Sequence, residues 1–378
     1  MSKYIKLATV LLAVSPGLTP YLFLPGTNLA TFALLLGILI MILFNKAKVI
    51  TNSLELKFFV TVIILSFITF LSNVGSTWFN TSTFINNFWP IFICFGTLIF
   101  VSPYVHIKSF KRTLYMMATL ASIIVIMQRM SIIATGSFNH DVYLPFFTLA
   151  EDVAYVSRPH AFFKEPSLLA QYVIPIFYLS LLDNKYYYSI LFALAIMSSG
   201  STTGFLLLPI LFIVWFFKNS KNTIQKVVIL LLVVIVFYLF RDYIMALLDS
   251  NMDKANEADN ENLRLLGALA FFDKFKINEQ FLGIGINQLS NYFGINSDIS
   301  NYSNGLLFML ISYGYIGFIS LVVYLFNVYY QYKPYIGFYI ILIGVFCTSQ
   351  LIFSITLLYL LTFCVLGNKL VTNKSKLL

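Results

Sequence analysis

The chain has 378 residues, of which 59% are apolar and only 10% charged, and its formal net charge is +9. A soluble domain carries about 25% charged residues, so water is not the main solvent of this chain and an ordinary globular fold is excluded. Its basic residues are scattered through short segments between apolar runs, which is a topology signal and not the stripe of a nucleic-acid-binding surface.

Apolar runs long enough to cross a bilayer as helices recur along the whole chain. A closed β-barrel would show short alternating segments instead. The expected spans are approximately 5–24, 27–44, 56–74, 84–102, 113–135, 167–183, 186–199, 203–217, 224–240, 304–327, 335–349 and 351–367. The first opens on Lys3 and Lys6 and passes through Ser15-Pro16-Gly17, which imitates a secretory signal. With so many spans behind it, it reads as an uncleaved first helix. The stretches 186–217 and 334–367 each accommodate two short helices or one long helix with a re-entrant piece. Cys94, Cys347 and Cys364 all lie in apolar stretches without metal-ligand spacing, so neither a disulfide nor a zinc site is expected. The expectation is a single all-α polytopic membrane domain over 1–378, with about twelve helices.

Sidedness follows from charge. With both termini in the cytoplasm, 16 of the 24 basic residues fall in cytoplasmic segments, against two acids, Glu55 and Asp183. The inside then carries +14 and the outside −5, the bias that the positive-inside rule requires. Two external segments stand apart in length, 136–166 and 241–303; connections of that size are usually functional or disordered. The second begins acidic and Asn-rich. Helix-compatible sequence then runs through Asn262–Lys276, placing Arg264, Ala268, Phe271 and Phe275 on one side, and a glycine turn, Leu282-Gly283-Ile284-Gly285, follows.

Within the spans, ionisable residues are scarce. Arg129, beside Gln128 near the outer end of its helix, is the main one. Intramembrane acids that mark ion pathways are almost missing, which weighs against a proton-coupled transporter. The first long loop closes on Ser157-Arg158-Pro159-His160-Ala161-Phe162-Phe163-Lys164-Glu165-Pro166-Ser167. Pro166 suits a first helical position and Glu165 suits the positive end of the helix dipole. Arg158 and Lys164 suit contact with lipid headgroups as well as with a ligand. His140 and His160 are 20 residues apart and do not resemble a metal pair.

Arg158, then Glu165-Pro166-Ser167 and Leu169-Ala170, resembles the Arg…Glu-Pro-Ser…Ala element of bacterial O-antigen and capsular polysaccharide polymerases of the Wzy type. Further matches follow in order: Ser199-Gly200-Ser201-Thr202-Thr203-Gly204, a Ser-rich junction between helices; Arg264 ahead of Phe281-Leu282-Gly283-Ile284-Gly285; and Asn304-Gly305-Leu306 with Tyr313-Gly314-Tyr315-Ile316-Gly317. The resemblance covers about 155–320 at the level of motifs and the whole chain in topology. Two departures stand out. The family often has glycine three residues after the first arginine, where this chain has Ala161. The related O-antigen ligases place a histidine beside the Asn that precedes the post-loop helix; here the neighbour of Asn304 is Ser303, which favours polymerase over ligase.

The resemblance implies a GT-C-like membrane glycosyltransferase in the cytoplasmic (inner) membrane of a bacterium. It would act on polyprenyl-pyrophosphate-linked glycans at the outer face, alongside a flippase and a chain-length regulator, with no cofactor, no metal and no nucleic acid. Pyrophosphate gains charge as it leaves, and fixed guanidinium groups are the expected stabilisers. Arg158 and Arg264 are the first candidates, with Lys164 and Arg129 behind them. Glu165, then His160, are candidates for activating the attacking hydroxyl. Asn287, Tyr302 and Asn304, with Tyr143, Tyr155, Asn291 and Tyr292, suit sugar contacts, although aromatics also belong at a membrane interface without any ligand. An O-antigen ligase and a flippase or transporter of precursors are the alternatives.

Overall fold

The computed structural model describes residues 3–24, 27–45, 53–136, 148–149, 158–219, 271–294, 304–349 and 353–372. Arg264, Tyr302, Ser303, the span expected over 224–240 and most of 241–303 lie outside these segments. The described residues are mostly helical. The helices are α1 (Lys3–Val14), α2 (Leu29–Asn45), α3 (Leu54–Asn73), α4 (Thr81–Asn86), α5 (Phe88–Phe100), α6 (Ile107–Thr135), α7 (Pro166–Leu182), α8 (Tyr186–Ser199) and α9 (Thr202–Asn219), followed by α10 (Ile277–Leu282), α11 (Leu289–Phe293), α12 (Gly305–Tyr332), α13 (Ile336–Thr348) and α14 (Ile355–Thr372). Five helical stretches are long and apolar enough to cross a membrane: Leu54–Asn73, Thr81–Tyr104, Ile107–Thr135, Thr202–Asn219 and Gly305–Tyr332. Shorter apolar helices lie among them.

Two expectations need correction. The first span is not one helix. Pro16, early in a 3-10 turn over Ser15–Leu18, ends α1 at Val14, because proline cannot donate to the preceding turn. The chain then runs as strand β1 (Tyr21–Leu24), so the fold is not purely α. Strand β1 pairs antiparallel with β2 (Thr27–Asn28) and with β3 (Thr148–Leu149), in the order β2-β1-β3. The Tyr21–Leu149 and Leu22–Thr148 pairings tie the first long loop to the N-terminal segment. The two ambiguous stretches both resolve into helix pairs, α8 with α9 and α13 with α14.

Helix α7 occupies the centre. Almost every side chain from Leu169 to Leu181 is buried, as expected of a helix apolar on all sides. It packs on α14, where Tyr359 stacks on Tyr172 at 4.9 Å and donates to the carbonyl of Tyr172 at 3.0 Å. Tyr172 in turn donates to the carbonyl of Ala13 at the end of α1. Around this centre, α3, α6 and α12 turn large apolar side chains outward, among them Phe67, Met127, Ile133, Ile319 and Phe326. An exposed apolar band of this kind is the surface of a protein solvated by lipid.

The two ends of the bundle carry different sets of polar groups. At one end Lys111 pairs with Asp183 at 2.6 Å and donates to the carbonyl of Leu370. Tyr332 donates to Glu55, and Lys218 lies 4.1 Å from the ring centre of Tyr335. Asp183 and Glu55 are the two acids that the charge count leaves among the lysines, and both are buried and partnered. The opposite end gathers Arg129, Arg158, Glu165 and the glycine turn at 282–285.

That glycine turn is built into the bundle. Helix α12 breaks at Gly314 (φ 63, ψ −162), so the carbonyls of Ile311 and Ser312 lose their usual partners one turn ahead. The N–H groups of Ile284 and Gly285 take them, at 3.1 and 3.0 Å. From α3, Thr69 donates to the carbonyl of Leu282 at 2.7 Å and Asn73 to that of Gly283 at 3.2 Å. The fit is reciprocal: a Cβ on Gly283 would lie 2.2 Å from the carbonyl oxygen of Ser312, and one on Gly314 2.4 Å from the Phe281 backbone. Both glycines also have positive φ. Alanine at 283 or 314 is therefore expected to cost more than the ~1–2 kcal/mol of a left-handed alanine alone, lowering the melting temperature of the detergent-solubilised protein by several degrees. Unchanged melting in both variants would show that the turn does not dock on α12.

Candidate active site

The site begins on α6, where Gln128 is buried and Arg129 half-buried. The Oε1 of Gln128 accepts the N–H groups of His160 (3.1 Å) and Ala161 (2.9 Å), which ties the end of the first long loop to the bundle. Ala161 has φ +53, a left-handed conformation that glycine adopts without strain. The turn closes with the Phe163 N–H on the carbonyl of His160 at 3.1 Å, over the buried rings of Phe162 and Phe163. His160 is fully buried, with Nδ1 2.7 Å from the carbonyl oxygen of Phe163. A carbonyl only accepts, so Nδ1 carries the hydrogen.

The two arginines meet at the α8–α9 junction. Gly200, at φ +66, ends α8, and the carbonyls near that end need donors. Ser199 Oγ takes the carbonyl of Ile196, and the Gly200 N–H takes that of Met197. Arg129 Nε donates to the carbonyl of Ser198 at 2.9 Å and Arg158 Nη1 to that of Gly200 at 3.2 Å. A Cβ at Gly200 would lie 3.4 Å from Arg129 Nη2 and 3.9 Å from Arg158 Cδ. The helix C-terminus carries partial negative charge, so it holds both guanidiniums side by side. Arg158 is exposed, and among the described residues its one hydrogen bond to Gly200 leaves most of its donors uncommitted.

Glu165 is also exposed, at the N-cap of α7 ahead of Pro166. Its carboxylate does not cap the helix backbone; Oε1 accepts from Ser167 Oγ at 2.5 Å. Lys164 is half-buried next to it. Behind this rim a polar seam runs inward. Gln171 Nε2 donates to Ser349 Oγ at 2.8 Å, the Gly305 N–H to the carbonyl of Ser349 at 3.0 Å, and Thr203 to Thr348 at 3.2 Å. Asn304 belongs to that seam as the cap of α12, its Oδ1 accepting the Leu307 N–H at 3.0 Å.

Asn287 belongs to a different group, in the second loop. It is exposed at φ +53 and donates to Asn87 at 2.9 Å. The same loop is packed by Phe271, Phe272 and Phe275 against Tyr292, Phe293, Ile284 and Leu310. Phe271 and Phe275 thus share one cluster, as their spacing predicts. Helix over 262–276 is not continuous to its end, however: Asp273 and Lys274 form a turn. Glu279 accepts from the Lys276 N–H at 2.9 Å and from Tyr292 Oη at 2.6 Å. Burial, with the Glu279 carboxylate beside it, pushes the Tyr292 phenol up to about 12.

Sequence reasoning noticed Gln128 only as the neighbour of Arg129 and missed its role as the acceptor that holds the loop. It also missed that Gly283 and Gly314 fit each other. Among the described residues, no three His, Cys, Asp or Glu side chains gather as a metal site would.

Several apolar helices with an outward apolar band and polar chemistry at one end define a multi-pass membrane protein. Residues 187–322, from α8 into α12, match the family model described as O-antigen ligase. No curated protein matches the chain. The matched stretch holds Gly200, Gly283 and Gly314, while Arg129, Arg158 and Glu165 precede it; the Arg158–Gly200 hydrogen bond joins the two.

The Gln128 contacts give a direct test. Gln128→Leu leaves two buried N–H groups without their acceptor, at about 1–3 kcal/mol each, and is expected to destabilise the protein markedly in thermal unfolding. Ala161→Gly relieves the left-handed strain and is expected to be neutral or stabilising. The opposite ranking would show that the loop is held by something else.

Proposed function

We propose that the protein is a polysaccharide polymerase that joins polyprenyl-pyrophosphate-linked repeat units at the outer face of the cytoplasmic membrane. The observation that carries the reading is the pair of guanidiniums, Arg129 and Arg158, gathered on the Gly200 junction with the exposed carboxylate of Glu165 seven residues beyond Arg158. A GT-C-like bundle of about twelve spans with cytoplasmic termini belongs to the same proposal, supported by the excess of lysine and arginine in the sequence segments assigned to the cytoplasm.

In this reading a hydroxyl of one lipid-linked unit attacks the anomeric carbon of the other glycan. The new C–O bond forms as the bond to the pyrophosphate oxygen breaks, and polyprenyl pyrophosphate departs with that electron pair. Glu165 takes the proton of the attacking hydroxyl. Ser167, donating to its other side, holds the carboxylate in place. Arg158 meets the charge growing on the pyrophosphate, with Arg129 beside it and Arg264 and Lys164 contributing from the loops. Fixed cations stabilise that charge without having to reorganise during the reaction. His160, buried with Nδ1 on a backbone carbonyl, acts by shaping the loop and not by touching substrate. Ser303 beside Asn304, where the ligases place histidine, favours a polymerase over a ligase. Substrate supply and product length would involve a flippase and a chain-length regulator.

The test is reconstitution with a lipid-pyrophosphate-linked repeat unit, read as a ladder of products. Arg158→Ala and Arg264→Ala should each reduce lengthening about 10²–10³-fold, the usual loss when one charge-stabilising donor is removed. In cells they should leave single units capped onto the final carrier. If single units also fail to reach the outer leaflet, the protein acts as a flippase and the polymerase reading falls.

A further inference from the structure

An open pocket of about 680 Å³ lies between the α3–α4 connection and α11, lined by Thr77, Trp78, Asn80, Thr81, Ser290 and Asn291. None of its lining residues is ionisable. We propose that it is a binding subsite for a neutral saccharide unit, distinct from the arginine site at Gly200.

The pocket is built, not incidental. Gln288, fully buried, pairs its amide with the backbone of Asn80, Oε1 accepting the N–H at 2.9 Å and Nε2 donating to the carbonyl at 3.0 Å, with longer contacts from Nε2 to the Ile286 carbonyl (3.4 Å) and from Asn291 Nδ2 to Oε1 (3.3 Å). This two-point pairing locks the 77–81 wall to α11. Trp78 is half-exposed, and its other side meets Tyr292 edge-on at 4.8 Å. Tyr292 is itself pinned to Glu279. A half-exposed indole on a fixed support is a platform with little conformational entropy left to lose.

The chemistry selects the ligand. The C–H face of a pyranose packs on an indole, as other apolar surface does. Its hydroxyls both donate and accept, and so do the amides of Asn80 and Asn291 and the hydroxyls of Thr77, Thr81 and Ser290. An anion finds no cation among the lining side chains, so a pyrophosphate or lipid phosphate has no reason to settle there. The choice of a saccharide over other neutral polar ligands rests on the glycan-transfer reading above. In that reading the pocket would hold a sugar of the growing or incoming glycan, away from its carrier.

The test is saturation-transfer difference NMR on the full chain in nanodiscs, probed with maltotriose, N,N′,N″-triacetylchitotriose and a galactose trisaccharide, with inorganic pyrophosphate as competitor. At least one trisaccharide should show transfer that survives pyrophosphate and survives Arg158→Ala, and that is lost in Trp78→Ala and in Asn291→Ala. Asn291 is exposed and its one bond to Gln288, at 3.3 Å, is longer than the two that join Gln288 to Asn80, so its truncation leaves the wall in place. No transfer from any of the three, transfer displaced by pyrophosphate, or transfer undiminished in Asn291→Ala overturns the subsite. If the wild-type protein builds the ladder yet binds none of them, the subsite falls and the polymerase reading stands. Saccharide binding without any ladder separates the two the other way.

Discussion

The two hydrogen bonds from Ile284 and Gly285 into the break of α12 are the contact on which this end of the bundle depends. Inside a bilayer a carbonyl without a donor costs several kcal/mol, so a helix breaks only where something else supplies the N–H. Here the supplier is a turn from a segment that emerges on the polar side. The break and the turn are each other's condition. Thr69 and Asn73 then fix the turn from α3, which brings α3, α12 and the second loop into one unit. The aromatic cluster around Phe275 and Tyr292 and the wall at 77–81 are built on that unit.

The first loop is held by the same logic with a side chain in place of a turn. One amide oxygen, on Gln128, receives two consecutive N–H groups, and the backbone bends through a left-handed alanine to present them. A glycine would make the bend without strain; this chain keeps a methyl that is fully buried and relies on the amide and the packed rings of Phe162 and Phe163. The outcome is that Arg158 and Glu165 leave opposite ends of a rigid turn, each exposed, while His160 between them is enclosed.

How much of this was legible in the sequence depended on the range of the interaction. Apolar runs are local properties, and they located most of the described helices. Glu55 and Asp183 each find a partner, Tyr332 and Lys111, that no local pattern names. The early end of α1 was hidden because Tyr21-Leu22-Phe23-Leu24 is as apolar as a span, and only Pro16 hinted at the break. The glycines at 200, 283 and 314 were visible as motif residues, but nothing local says that 283 and 314 touch, or that Gly200 lies under two arginines 42 and 71 residues before it. Gln128 gave no signal, since a polar residue near a helix end is common. Its function exists only once the chain from 158 to 163 is folded back on it.

The two helix breaks also explain why chemistry would sit at one and not at the other. At Gly314 the freed carbonyls are taken by backbone N–H groups, each of which has a single hydrogen and is used up by the contact. At Gly200 they are taken by guanidiniums. An arginine has five N–H donors, and its bond to a carbonyl positions the group while leaving charge and donors to spare. The first break is therefore purely structural, and alanine should fail there for steric reasons alone. The second fixes two cations side by side at the end of α8. In the proposed transfer, a leaving group that gains negative charge needs such cations already in place, and the carbonyls at the end of α8 would hold them there before substrate binds.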